Sequence, residues 1–158
     1  VPDATLAIHG FAMPGDPFIS QVRRFVAKDP RAMLMDRYHQ EDLPAILRNI
    51  DVVVVPSLWH ETFSIVAREA LLSGTPVVAS EVGALPEIVE HGRNGLLVPA
   101  GDVDALHGAL QRLSVERGLL ARLQDGALHS TQQIKSRMEH VLEVEQIYRS
   151  LQPGPGIP

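Results

Sequence analysis

Cysteine is absent from the 158 residues. That removes disulfides, thiolate metal sites and cysteine nucleophiles together, and it suits a reducing cytoplasm. A basic stripe is also missing. Lys and Arg number 14 against 19 Asp and Glu, a net charge of −5 with both signs mixed along the chain, so no nucleic-acid partner is expected. No apolar run approaches the ~20 residues of a membrane helix, and any membrane contact would be peripheral. The seven histidines lack the spacing of a metal site, and none is expected. Gly10 and Gly15 do not make a dinucleotide fingerprint, and there is no P-loop. Internal repeats are absent. Low complexity is confined to the Pro/Gly-rich tail 152–158, which is expected to be disordered. The opening Val1-Pro2-Asp3 is neither an initiating Met nor a signal peptide, so the chain is expected to be part of something longer.

What remains is enough for one domain with a hydrophobic core, expected over residues 1–151. Five short β-rich runs recur: Leu6 to Ile8, Ala32 to Met35, Asp51 to Val55, Pro76 to Ala79 and Gly95 to Val98. They show no polar alternation, as strands buried on both faces of a parallel sheet do. Helical spacing fills the gaps. Phe18, Val22, Phe25 and Val26 form one face, and Leu43, Ile46, Leu47 and Ile50 another. Phe63, Val66, Ala67, Ala70 and Leu71 form a third, with Gly74 and Pro76 as its stop. Alternating strands and helices predict an α/β domain with a Rossmann-like, doubly wound sheet. Additional C-terminal helices follow: one capped by Asp102, a shorter one over Glu116 to Leu123, and a long one over Thr131 to Leu151 striped by Ile134, Met138, Val141, Val144 and Tyr148.

Ligands of such sheets bind beyond the carboxyl ends of the strands. There the segment from Val55 to Ser64 stands out: a valine strand, a Pro-Ser break, a loop, then the clearest amphipathic helix. The amides near Ser64, Ile65 and Val66 have no partners inside that helix, and its positive dipole end suits phosphate without a Gly-rich loop. Glu61 precedes the helix and Glu69 lies within it. Eight residues of helix would set them ~12 Å apart along the axis. That exceeds the roughly 5 to 9.5 Å between the acids of a glycoside hydrolase. It fits the two ends of an extended nucleoside diphosphate sugar, whose hydroxyls glutamates accept. The alternative makes Glu61 a charge relieving the helix dipole and Glu69 a solvated helix residue.

The segment Glu61-Thr-Phe-Ser-Ile-Val-Ala-Arg-Glu69 resembles the E-x7-E motif of family 4 glycosyltransferases of the GT-B fold (glycosyl transferases group 1). Its context is similar too. Asp51 to Ser57, Glu69-Ala70-Leu71 with Gly74 to Ala79, Gly83 to Val89, and Asn94 to Val98 resemble the family's successive motifs in order and spacing. The likeness runs from about Leu6 to Tyr148. It implies the donor-binding C-terminal domain of a retaining, metal-independent enzyme that needs no cofactor and takes a nucleotide diphosphate sugar as substrate. By the same resemblance, Glu61, Phe63 and Ser64 meet the donor sugar, Ile65 and Val66 the diphosphate, Glu69 the ribose, and Arg37 and Tyr38 the base. No catalytic acid or base is assigned within the chain. Ser64 stands where the family has glycine, and a serine there is expected to keep ordinary backbone angles. Tyr38 as a half-buried loop aromatic and His9 as a packing histidine are the plainer alternatives for those two residues.

The family's domain opens with a strand and loop whose Arg and Lys neutralise the diphosphate; this chain begins at what resembles the second strand. In the order 3-2-1-4-5-6 the absent strand is central, so the sheet is expected to have unpaired inner edges. An upstream segment, a second copy associating through the incomplete sheet, or rearranged strands would resolve that. The N-terminal acceptor-binding domain is absent as well, so the fragment is expected to be inactive alone. Two other classes remain open: a GT-B-type nucleotide-sugar epimerase and a non-catalytic binding or dimerisation module.

Overall fold

A computed structural model of the chain describes residues 1, 4–9, 16–130 and 137–151. The elements run β1 (Leu6–Ile8), α1 (Pro17–Val26), β2 (Ala32–Leu34), a 3-10 turn (Gln40–Asp42), α2 (Leu43–Leu47), β3 (Val53–Val55), α3 (Ile65–Leu72), β4 (Val77–Ser80), α4 (Leu85–Ile88), β5 (Gly95–Val98), α5 (Val103–Val115), α6 (Leu119–Ser130) and α7 (Arg137–Leu151). The α/β alternation is as expected. The tail 152–158, the stripe residue Ile134 and the start of the long last helix lie outside the described residues.

Among the described residues every strand pairing is parallel, but the strands form two sheets, β1-β2 and β3-β4-β5. Among the described residues no pairing joins β1 to β3, the two strands that would flank the absent one. The strands do not rearrange to close that gap.

The three-stranded sheet carries the core because helices cover both its faces. All four residues of β4 are buried. On one face Val55, Val77 and Ala79 pack with Leu47, Ala67, Ala70, Leu71, Leu85 and Ala127. On the other, Val78, Leu96 and Val98 pack with Ala109, Leu119 and Leu123. The outer edge of β5 is closed by its own preceding turn. Gly92 N–H donates to Gly95 O at 2.8 Å, and Leu97 N–H donates to His91 Nδ1 at 3.0 Å.

Local chemistry sets the helix ends. Asp102 Oδ1 accepts from Ala105 N–H at 2.8 Å and starts α5. Asp16 caps α1 in the same way through Phe18 N–H, with Pro17 at the first helical position. Gly74 ends α3 at φ 77°, where Thr75 N–H reaches back to Ala70 O at 2.9 Å. The helix expected to end near Leu123 continues to Ser130. Gly126 makes this possible, since a Cβ there would lie 1.9 Å from Arg93 O. The contact brings Ser130 to the buried Asn94, whose Nδ2 donates to Ser130 Oγ at 2.8 Å and to Ile88 O at 2.9 Å.

Two apolar stripes are not core. On α1, Val22 and Val26 are half-buried, but Phe18 and Phe25 are 68% and 70% exposed, because a two-stranded sheet covers only a narrow strip of helix. On α7, Met138, Val141 and Tyr148 are exposed. No described helix is long and apolar enough to cross a membrane.

Candidate functional site

β3 ends at Val55, and residues 56–64 form the loop that leads into α3. The helix begins at Ile65, two residues later than the apolar spacing suggests. Its first bond is Arg68 N–H to Ser64 O at 3.2 Å, so the amides of Ile65, Val66 and Ala67 have no carbonyl partner inside the helix. Ser64 does not keep ordinary angles. At φ 51° and ψ 78° it is left-handed, the only non-glycine residue with positive φ among those described. That conformation costs a residue with a Cβ about 1–2 kcal/mol. Its carbonyl accepts that first helix bond, and the side chain of Arg68 spans it to the preceding residue. Arg68 Nε donates to Phe63 O at 3.0 Å while its guanidinium lies 4.0 Å over the Phe63 ring. Sequence reasoning passed over Arg68, and nothing in its spacing marks it.

The left-handed turn redirects the chain, so Phe63 leaves the helical stripe and is 54% exposed. Ala67, Ala70 and Leu71 alone of that stripe are buried. Val66 and Ile65 are exposed, at 52% and 64%. For the same reason Glu61 and Glu69 do not lie on one rod, and the ~12 Å axial spacing does not apply. Glu69 is the fifth residue of α3 and half-buried, with no hydrogen bond to its carboxylate among the described residues. Glu61 is half-buried in the loop, where its Oε1 accepts from Ser57 Oγ at 2.6 Å. Ala84 N–H donates to Glu61 O at 2.7 Å.

Loops beyond the carboxyl ends of β3, β4 and β5 therefore gather here. The turn after β4 touches Glu61, and Leu58 of the first loop reaches Gly101 of the third. Arg37 and Tyr38 lie elsewhere, beyond β2 on the two-stranded sheet, and both are exposed. Tyr38 meets the His9 ring edge-on, centroids 5.7 Å apart at 79°. Among the described residues no three His, Asp or Glu side chains gather as a metal cluster. A shallow groove of about 260 Å³ between β5 and α5 stands apart from α3. Its polar groups are engaged: His91 with Leu97 N–H, and Arg112 with Glu116 at 2.6 Å.

The chain matches the family model described as glycosyl transferases group 1 over residues 2–115. It is 46% identical over 90 residues to a D-inositol 3-phosphate glycosyltransferase of Streptomyces bingchenggensis, covering 57% of this chain and 20% of that protein. The matched part of the chain thus spans about a fifth of the length of these curated relatives. Among solved structures it superposes on sucrose-phosphate synthase of Thermosynechococcus elongatus with a TM-score of 0.82 at 30% identity, covering 93% of this chain and 38% of that one. It superposes on HepE of Anabaena, solved in complex with UDP and glucose, with a TM-score of 0.79 at 26% identity, covering 96% of this chain and 41% of that one.

Proposed function

The chain belongs to the group 1 glycosyl transferases, and from that premise we propose that it is the donor-binding part of a retaining, metal-independent transferase acting on a nucleotide diphosphate sugar. One observation carries the reading: the open N-terminus of α3, framed by two half-buried carboxylates, lies where three strand-end loops meet. The amides of Ile65 and Val66 suit the diphosphate, and the positive end of the helix adds to them. Glu61, with the backbone at Phe63 and Ser64, accepts hydroxyls of the sugar. Glu69, further along α3, accepts those of the ribose. Arg37 and Tyr38 flank the base. UDP and glucose in the related Anabaena structure support a nucleotide-sugar donor.

In the transfer, charge builds on the leaving diphosphate while the sugar takes on oxocarbenium character. Preoriented amides stabilise that charge without reorganising, which is how such a site accelerates departure. The acceptor sits on a further domain of the whole protein, so this chain binds the donor without transferring it.

Calorimetric titration with UDP-glucose and GDP-mannose tests the reading. Glu69→Ala is expected to weaken the tighter of the two at least about tenfold, the worth of one charged hydrogen bond. EDTA is expected to leave affinity unchanged. Equal affinity for the parent chain and Glu69→Ala would refute the ribose assignment, and loss of binding in EDTA would refute the metal-free one.

A further inference from the structure

We propose that Ser57 and the Gly83-Ala84 turn form a two-sided clamp on Glu61, making Ser57 a positioning residue for the donor sugar. The inference rests on the donor reading above and adds what fixes its key carboxylate. Glutamate has three side-chain torsions, and an unrestrained carboxylate must be ordered at each binding event. Here it is ordered beforehand. From one side Ser57, half-buried just past β3, donates its hydroxyl to Glu61 Oε1 at 2.6 Å. From the other side the turn after β4 presses on the backbone. Ala84 N–H donates to Glu61 O at 2.7 Å. Gly83, at φ 58°, approaches so closely that a Cβ would lie 2.3 Å from Glu61 O and 2.5 Å from Glu61 N. Only glycine satisfies both the angle and the approach.

The consequence is a division of labour within one carboxylate. Oε1 is taken up by Ser57, and Oε2 is left, in a fixed direction, to accept sugar hydroxyls. The clamp therefore acts on the sugar and not on the nucleoside diphosphate. That distinction separates positioning from mere structural support.

The test compares affinity for a nucleotide sugar with affinity for its free diphosphate, using UDP-glucose against UDP and GDP-mannose against GDP on the chain and its variants. The pair with the larger sugar increment is carried through. Ser57→Ala is expected to lose about five- to tenfold in affinity for the nucleotide sugar, the worth of a side chain that must now be immobilised, and under twofold for the diphosphate. Ser57→Thr, which keeps the hydroxyl, restores the increment, and adding Ser57→Ala to Glu61→Ala costs nothing more. Without ligand, three-bond couplings of Glu61 should report one side-chain rotamer in the parent and Ser57→Thr, and averaging in Ser57→Ala.

An increment lost in Glu61→Ala but kept in Ser57→Ala overturns the clamp and spares the donor reading. An increment untouched by Glu61→Ala, or no nucleotide binding by the parent chain, overturns the donor reading and the clamp with it. Equal losses for sugar and diphosphate in Ser57→Ala, or averaged Glu61 couplings in the parent, reduce Ser57 to a structural residue.

Discussion

Replacing Ser64 with glycine should stabilise the chain, although the substitution removes atoms from a residue only 8% exposed. The magnitude follows from three terms. The left-handed backbone at φ 51° costs serine about 1–2 kcal/mol that glycine does not incur. Against this, glycine gives the unfolded chain more freedom, about 0.4–1 kcal/mol. The hydroxyl contributes no capping bond that would be forfeited. The balance favours Ser64→Gly by about 0.5–1 kcal/mol. Ser64→Ala keeps the strain and should stay within about 0.5 kcal/mol of the parent. Ser64→Val, β-branched at a positive φ, should fall well below both. Urea denaturation reads this as a rise in midpoint at constant slope. A Ser64→Gly midpoint below that of Ser64→Ala would refute the reasoning, because it would mean the serine conformation is not strained.

Gly83→Ala and Gly92→Ala share a positive φ, but a Cβ at Gly92 meets nothing within 4 Å. Urea midpoints should put the loss at about 1 kcal/mol for Gly92 and at about 2–4 kcal/mol for Gly83, where overpacking adds to the strain; equal losses would remove the close approach to Glu61 from the account. In the helices, Gly108→Ala should stabilise by about 0.5–1 kcal/mol, since its Cβ enters open space, while Gly126→Ala should destabilise by at least about 2 kcal/mol against Arg93 O. Thermal melts that moved in the same direction would contradict that pair. Side-chain and backbone hydrogen bonds from Arg31 hold the Asp29 carboxyl at about 2, down from 3.8. Because the folded value is the lower one, the contribution of Asp29 is complete above pH near 4 and disappears on acidification through about 2. An Asp29 carboxyl resonance titrating near 3.8 would rule this out.

How much of this was legible depends on whether the signal is local. The valines of β3, the buried run of β4, the Asp102 cap and the Gly74 stop each state their role within a few residues, and all stand where the spacing puts them. The carboxylates flanking the start of α3 were legible for the same reason. Ser64 was not, because serine gives no sign of a left-handed backbone; the Arg68 contacts with Phe63 that span it appear only in the folded chain. That one residue shifted the helix start and put Phe63 on a stripe it does not share. The Gly83 contact with Glu61 spans two loops, and only tertiary structure reveals it. Phe18 and Phe25 share a face with Val22 and Val26 yet stay exposed, because apolar spacing shows which side of a helix is greasy without showing how much lies beneath it.

Two sheets that share no ladder need not open together. The β1-β2 pair is three residues deep and leans on a helix with no fully buried residue, whereas β4 lies wholly inside its layers. Amide protons of the first unit should therefore exchange through a low-energy local opening, and those of β4 only when the whole domain unfolds. A nucleotide held at both ends, as proposed above, would add a bridge between two sheets that no strand pairing joins among the described residues.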